Sequence, residues 1–246
     1  MIDDQVADAL RNLLEHADSR VGIVTGSDLP YVIQQLGRWC DILGQAGLEI
    51  YPCNGTKYYR FFKGEWCLYD KLIEMRDVLT REDWRKLITT LHNAQLRIMK
   101  ENADLPLTGN FISYRGTILN WCPIGRDAQR DDREKFESMD AEHQIRRRAM
   151  DWLVDCFQIL FDNKLKVVLG GSTSFDIYVR GWDKTYVLSR LSGYDCWFVG
   201  DRVRDDGNDR TIYEAVGPHR GFETFGPSHT VTIIQELMNR LEKKKC

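Results

Sequence analysis

Between Gly170 and Asp209 the chain reads GGSTSFDIYVRGWDK and, after an apolar stretch, FVGDRVRDDGND. Ser174 and Asp176 stand at i and i+2, so on a strand they share one face. Asp201, Asp205, Asp206 and Asp209, with Asn208 among them, offer the oxygen ligands that a hard cation such as Mg²⁺ takes. Lys184 adds a positive charge that can face a phosphoryl group. Loops at strand ends are where α/β proteins place ligand chemistry. The block reads as a phosphate-and-magnesium site.

Other residues fit the same chemistry. Ser27 ends an apolar run in TGSD, where a hydroxyl and backbone N–H groups at a strand-to-helix turn can cradle phosphate. Arg115 and Arg126 are candidate phosphate clamps, because a guanidinium fork grips phosphate oxygens in pairs. Each also has a plain structural reading. Gly-Ser-Asp turns cap helices, a lysine after Trp-Asp can start one, and an acidic loop can cap the helix at 208. Ser174 and Asp176 can belong to a merely polar sheet face. The five histidines show no metal-binding spacing, and the seven cysteines form no CxxC pair. Scattered thiols of that kind suit a reduced, cytoplasmic protein better than a disulfide framework.

The elements that must position these groups follow from periodicity. The 246 residues suffice for one large or two modest domains, and a formal charge of -3 gives no global attraction to nucleic acid or acidic membranes. Arg146–Arg148 lie in a helical stretch beside acids and read as a solvated face. The lysines before Cys246 read as a basic helix end. The N-terminus opens with Asp3, Asp4 and Asp8, unlike a signal peptide, and no apolar run reaches the roughly 18 residues of a membrane span. Residues 3–17 predict a helix, VGIVTGSD a buried strand, 29–43 a helix and LEIYPCNGTKYYRFFKGEW strands turning at Asn54-Gly55 and Lys63-Gly64. Residues 70–104 read as helical, 111–121 as a hairpin turning at Arg115-Gly116, 132–162 as one long helix, and KVVLGG and SFDIYV as strands. Helix 184–191, strand CWFVGD, helix 208–215 and a last helix from Ser228 restore the α/β alternation.

Taken together, VGIVTGSD, YPCNGTKYY with FFKGEW, FISYRGTILNWCPIGR, GGSTSFDIYVRGWDKTYVL and FVGDRVRDDGND followed by IYEA resemble the eukaryotic-type phosphomannomutases of the haloacid dehalogenase superfamily. The resemblance spans almost the whole chain, and PIGR with SFD and, six residues on, DK is its most specific part. It implies an α/β fold with a doubly wound parallel-sheet core, residues 1–65 and 182–246, and an inserted α+β cap, 66–181. It implies Mg²⁺-dependent interconversion of mannose 6-phosphate and mannose 1-phosphate, with a hexose 1,6-bisphosphate as activator. Ser27 would then hydrogen-bond the transferring phosphoryl group and Lys184 would balance its charge. Asp201, Asn208 and Asp209 would bind or orient the metal. Arg115, Asn120, Arg126 and, more weakly, Arg133 would grip the distal phosphate, and Ser174 and Asp176 the sugar hydroxyls. A hexose phosphate is the implied partner, and a homodimer through the cap, using Trp84 or Trp152, is expected.

The chain departs from the family at Thr25, at Cys53, in the charged RVRDD turn and, above all, at its start. The family's Asp-x-Asp-Gly-Thr strand has no counterpart, and MIDDQVADAL aligns with the helix that follows it. Three readings stay open there: a sequence begun downstream of the nucleophile, a hexose-phosphate binder without turnover, or a strand supplied by another chain. A sugar-phosphate phosphatase is the enzymatic alternative.

Overall fold

The computed structural model describes residues 1–16, 19–204 and 207–243. They gather into two compact units, Met1–Leu72 with Asp183–Cys246, and Ile73–Trp182.

In the first unit, α1 (Asp4–Leu14) starts where the Asp3 carboxylate accepts the Gln5 N–H. It lays Ala7, Leu10 and Leu14 against Val32, Leu36, Leu43, Leu48 and Ile50. The apolar strands β1 (Gly22–Val24) and β2 (Glu49–Tyr51) pair in parallel, Ile23 opposite Ile50. The helix expected over 29–43 is three pieces: α2 (Leu29–Leu36), a 3₁₀ turn (Gly37–Trp39) and α3 (Cys40–Gln45). Gly37, at φ 54°, takes a left-handed conformation that a helix interior cannot hold. β3 (Tyr59–Phe62) and β4 (Glu65–Leu68) form an antiparallel hairpin through Lys63 and Gly64, both at positive φ. The first crossing between units thus falls after the whole hairpin, whereas a boundary at 65/66 would cut β4.

After the second crossing come α8 (Tyr186–Arg190), β9 (Phe198–Gly200), α9 (Arg210–Val216), β10 (Gly221–Glu223) and α10 (Pro227–Lys243). β9 and β10 pair in parallel; β10 has no counterpart among the sequence-predicted elements. Among the described residues the parallel sheet of this unit is in two pieces: β1 pairs with β2 alone and β9 with β10 alone. Val24 of β1 nevertheless packs in the same apolar cluster as Phe198 of β9. The lysine-rich end lies largely outside the described residues.

The second unit holds α4 (Met75–Val78), α5 (Arg81–Glu101), β5 (Ile112–Tyr114), β6 (Ile118–Trp121), α6 (Arg130–His143), α7 (Ile145–Phe161), β7 (Leu165–Gly170) and β8 (Ser174–Val179). Its antiparallel sheet runs β5-β6-β8-β7. Leu87, Leu91, Ala94 and Ile98 of α5, Phe136 of α6 and Leu153 and Phe157 of α7 pack with Leu119, Trp121, Phe175 and Ile177 of the sheet. Trp121 and Phe175 face each other across the ladder with stacked rings 4.7 Å apart. Because strand side chains alternate, filling one face with Leu119, Trp121, Phe175 and Ile177 sends Asn120, Ser174 and Asp176 to the other. The single helix expected over 132–162 is broken at Gln144, whose φ of 51° ends α6 in a left-handed cap.

Candidate active site

The candidate residues form two sets, one in each unit. In the first unit, β1 ends in the Thr25–Asp28 turn. The Ser27 N–H donates to the Thr25 hydroxyl at 3.1 Å, and its carbonyl accepts the Cys53 N–H at 2.9 Å. The Asn54 N–H reaches the Thr25 carbonyl at 2.7 Å. Ser27 is half-buried at the C-terminal end of a parallel strand, while Asp28 caps α2. Thr25, met in the sequence as a departure from the family, is therefore the residue whose side chain fixes the Ser27 backbone.

Lys184 and Asp209 are brought together and buried, at 8% and 3% exposure. The Lys184 ammonium is ion-paired with Asp209 Oδ1, and Oδ2 accepts the Arg202 N–H at 3.1 Å. Gly200, directly before Asp201, makes the carboxylate's place possible. A Cβ there would stand 2.7 Å from Asp209 Oδ2. Asp201 is exposed and Asn208 half-buried, in the same turn. Asp205 and Asp206 lie outside the described residues. Among the described residues no group of three or more His, Cys, Asp or Glu side chains is close enough to hold a metal. The set still fits Mg²⁺, which demands few protein ligands and completes its shell with phosphate oxygens and water. Asp201 and Asn208 would supply oxygen donors, and Asp209, ion-paired with Lys184, holds the turn through the Arg202 N–H.

In the second unit, Asn120 stands opposite Asp176 across the β6–β8 ladder, and opposed side chains there are neighbours. Its Nδ2 lies 2.7 Å from Asp176 Oδ1, 3.1 Å from the Ser174 hydroxyl and 3.2 Å from the Phe175 carbonyl. Its Oδ1 accepts from Arg126 Nη1 at 3.1 Å. The Ser174 hydroxyl donates to the Gly170 carbonyl at 2.6 Å, and a Cβ on Gly170 would sit 3.0 Å from the Asp176 carboxyl. The backbone of Arg126 is fixed by its N–H on the Asn110 carbonyl at 3.1 Å. Gly125 before it, at φ 94°, admits no side chain, since a Cβ would lie 2.0 Å from the Gly109 carbonyl.

Arg133 donates from Nε to the Ala128 carbonyl at 2.9 Å and from Nη1 to the Thr173 hydroxyl at 3.3 Å. Arg115 sits in the tight turn between β5 and β6, its N–H on the Ile118 carbonyl. Partial burial first, then the like charge of Arg115 and, more weakly, Arg133, hold the Arg126 pKa below the usual arginine value. Cations crowded in this way favour an anion among them. Gly170 and Gly200, which contribute space, and Thr173, whose hydroxyl accepts from Arg133, were not candidates in the sequence. Their one sequence signal is adjacency to SFD and GD.

The fold that these elements define recurs in solved phosphatase structures. An N-terminally truncated IMP-nucleotidase from Plasmodium falciparum superposes with a TM-score of 0.63 at 13% identity, covering 96% of this chain and 65% of that one. This chain thus spans just under two thirds of that structure, and the likeness places it in the haloacid-dehalogenase-type α/β fold.

The sequence relationship is closer. A phosphomannomutase of Galdieria sulphuraria is 36% identical over 220 residues, covering 89% of this chain and 81% of that protein. One from Saccharomyces cerevisiae is 35% identical over 225 residues with the same two shares. The family model for eukaryotic phosphomannomutase matches residues 6–240, and the chain belongs to that family.

Proposed function

We propose that this chain serves the interconversion of mannose 6-phosphate and mannose 1-phosphate. The observation that carries the reading is the Arg115–Arg126–Arg133 group joined through Asn120 to Ser174 and Asp176. It pairs crowded guanidinium groups with a hydroxyl and a carboxylate on one sheet face. Phosphate oxygens match the arginines, and sugar hydroxyls match Ser174 and Asp176. Asn120 is 2% exposed, with both ends of its amide engaged inside the protein. It therefore holds Arg126 and Asp176 in place, while the arginines do the gripping.

The reacting phosphoryl group belongs to the other set. Phosphoryl transfer is mostly positioning and charge neutralisation. Ser27 would donate its hydroxyl to the transferring group, and Lys184 would neutralise charge beside it. Asp201 and Asn208 would hold Mg²⁺ with Asp209 orienting the turn; bound there, the ion would neutralise phosphoryl oxygens. In this reading Ser27, Lys184 and the 201–209 turn bind, orient and neutralise the transferring group. A hexose 1,6-bisphosphate as activator is part of the same proposal. A dimer through the cap, with Trp84 or Trp152 at its contact, is part of the proposal. Trp84 packs edge-on to Tyr114, and Arg97 lies over Trp152.

The test is conversion of mannose 1-phosphate by the purified protein with Mg²⁺ and a hexose bisphosphate, read by the 6-phosphate formed. Release of free phosphate without isomerisation would make it a phosphatase. Thermal stabilisation by hexose phosphate without turnover would make it a binder. Arg126→Ala is expected to weaken hexose phosphate binding by about tenfold or more, the loss of one charge-assisted contact. Unchanged affinity removes the clamp.

A further inference from the structure

The chain leaves the first unit after Leu72 and returns at Asp183. Both crossings are held, on the first unit's side, by the segment 183–190. On the return, Asp183 Oδ1 accepts the Thr185 N–H at 3.0 Å and hydroxyl at 2.6 Å. The next residue, Lys184, is ion-paired with Asp209. α8 then ends at Arg190, whose guanidinium has three acceptors. They are the Asp70 carboxylate, the Gly55 carbonyl at 3.1 Å and the Thr56 carbonyl at 2.9 Å. Asp70 lies just before the outgoing crossing.

Gly55 and Thr56 belong to the turn whose Cys53 and Asn54 N–H groups bind the Ser27 and Thr25 carbonyls. α8 is seated tightly on that turn. A Cβ on Gly55 would lie 2.9 Å from Val187 Cβ, and its φ of 83° suits glycine alone. Thus one short helix ties the outgoing crossing to the Ser27 turn at one end and the return crossing to Lys184 at the other.

We propose that Arg190 is a positioning residue, and that its ion pair with Asp70 clamps both chain crossings in register with Ser27 and the Lys184–Asp209 pair. The chemical consequence rests on the proposed function; the mechanical one does not. Asp70 is half exposed while Arg190 is 12% exposed at its side chain. Ion pairs with one solvated partner add little to stability, so loss of the clamp acts through placement rather than unfolding. Misplacing reacting groups by about 1 Å can cost on the order of 100-fold in rate.

The experiment compares this chain with its Asp70→Ala and Asp70→Glu variants. Amide exchange is read in 53–56 and 184–190, together with kcat/KM for mannose 1-phosphate. Asp70→Ala is expected to speed exchange in both segments about tenfold and to lower kcat/KM by about tenfold, with the Tm within about 3 °C of wild type. Asp70→Glu, which keeps the charge, restores both. Unchanged exchange in 53–56 and 184–190, or faster exchange confined to 69–71, overturns the clamp whatever the turnover. A wild-type chain without mutase turnover counts against the proposed function only, and the exchange arm then decides the clamp by itself.

Discussion

Lys184 and Asp209 depend on each other. Both are almost fully buried, and the carboxylate is held further by the Arg202 N–H. Removing one partner of a buried pair leaves an uncompensated charge, which costs about 3–5 kcal/mol, whereas replacing both by apolar groups is often close to neutral. Lys184→Met is therefore expected to lower unfolding free energy by about 3 kcal/mol in urea titrations, and Lys184→Met with Asp209→Leu to recover most of it. A double variant that loses the sum of the Lys184→Met and Asp209→Leu losses would mean that the two residues act independently. At this scale residue type offered Ser27, Lys184, Asp209, Arg115 and Arg126 as candidates, and the family resemblance added Arg133. The sequence was silent on Gly170 and Gly200, because what they contribute is space, and on Thr173, because a hydroxyl that accepts from one arginine carries no spacing signal. For Asn120 it gave a ligand's role to a residue whose amide is committed inside the protein.

The elements were legible where one period dominates and illegible where a single backbone angle decides. The stripe Leu87, Leu91 and Ile98 predicts α5, and the alternation around FISYRGTILNW predicts β5 and β6 with their turn. By contrast, the breaks at Gly37 and Gln144 interrupt apolar patterns that continue beyond them, so periodicity runs straight through. β10 is three residues long in a glycine-rich stretch and owes its strand state to pairing with β9, which local propensity cannot register. Packing between elements sets limits of the same kind. Gly44 of α3 lies against Phe61 of β3, where a Cβ would come within 2.6 Å of the ring. Alanine would gain about 1 kcal/mol in helix propensity, but overpacking costs about 1–3 kcal/mol, so the clash prevails. Gly44→Ala is expected to destabilise the protein by about 1 kcal/mol in thermal or urea unfolding, and a stabilised variant would show that Phe61 yields freely.

On the scale of the whole molecule, stability is unevenly shared. The second unit has one continuous core, with Trp121, Phe136, Phe175, Leu87 and Leu91 all at 0% exposure. The first divides its buried residues between two smaller clusters. Local opening follows such differences in buried apolar contact. In native-state hydrogen exchange, amides of β6 and β8 are expected to be the slowest, and those of β1 and β9 the fastest among strands. The reverse order would mean that the two-piece sheet is not the weaker part.

That sheet also bears on how the protein behaves in company. β1 pairs with β2 alone among the described residues, and its Gly22, Ile23 and Val24 are at least partly accessible. Such edges are templates for strands of other chains. Association through that edge is thus tied to the strand whose end carries Ser27. A lysine placed at the margin of β1 to keep chains apart would stand next to the phosphate-handling turn, so colloidal stability and chemistry compete for the same few residues.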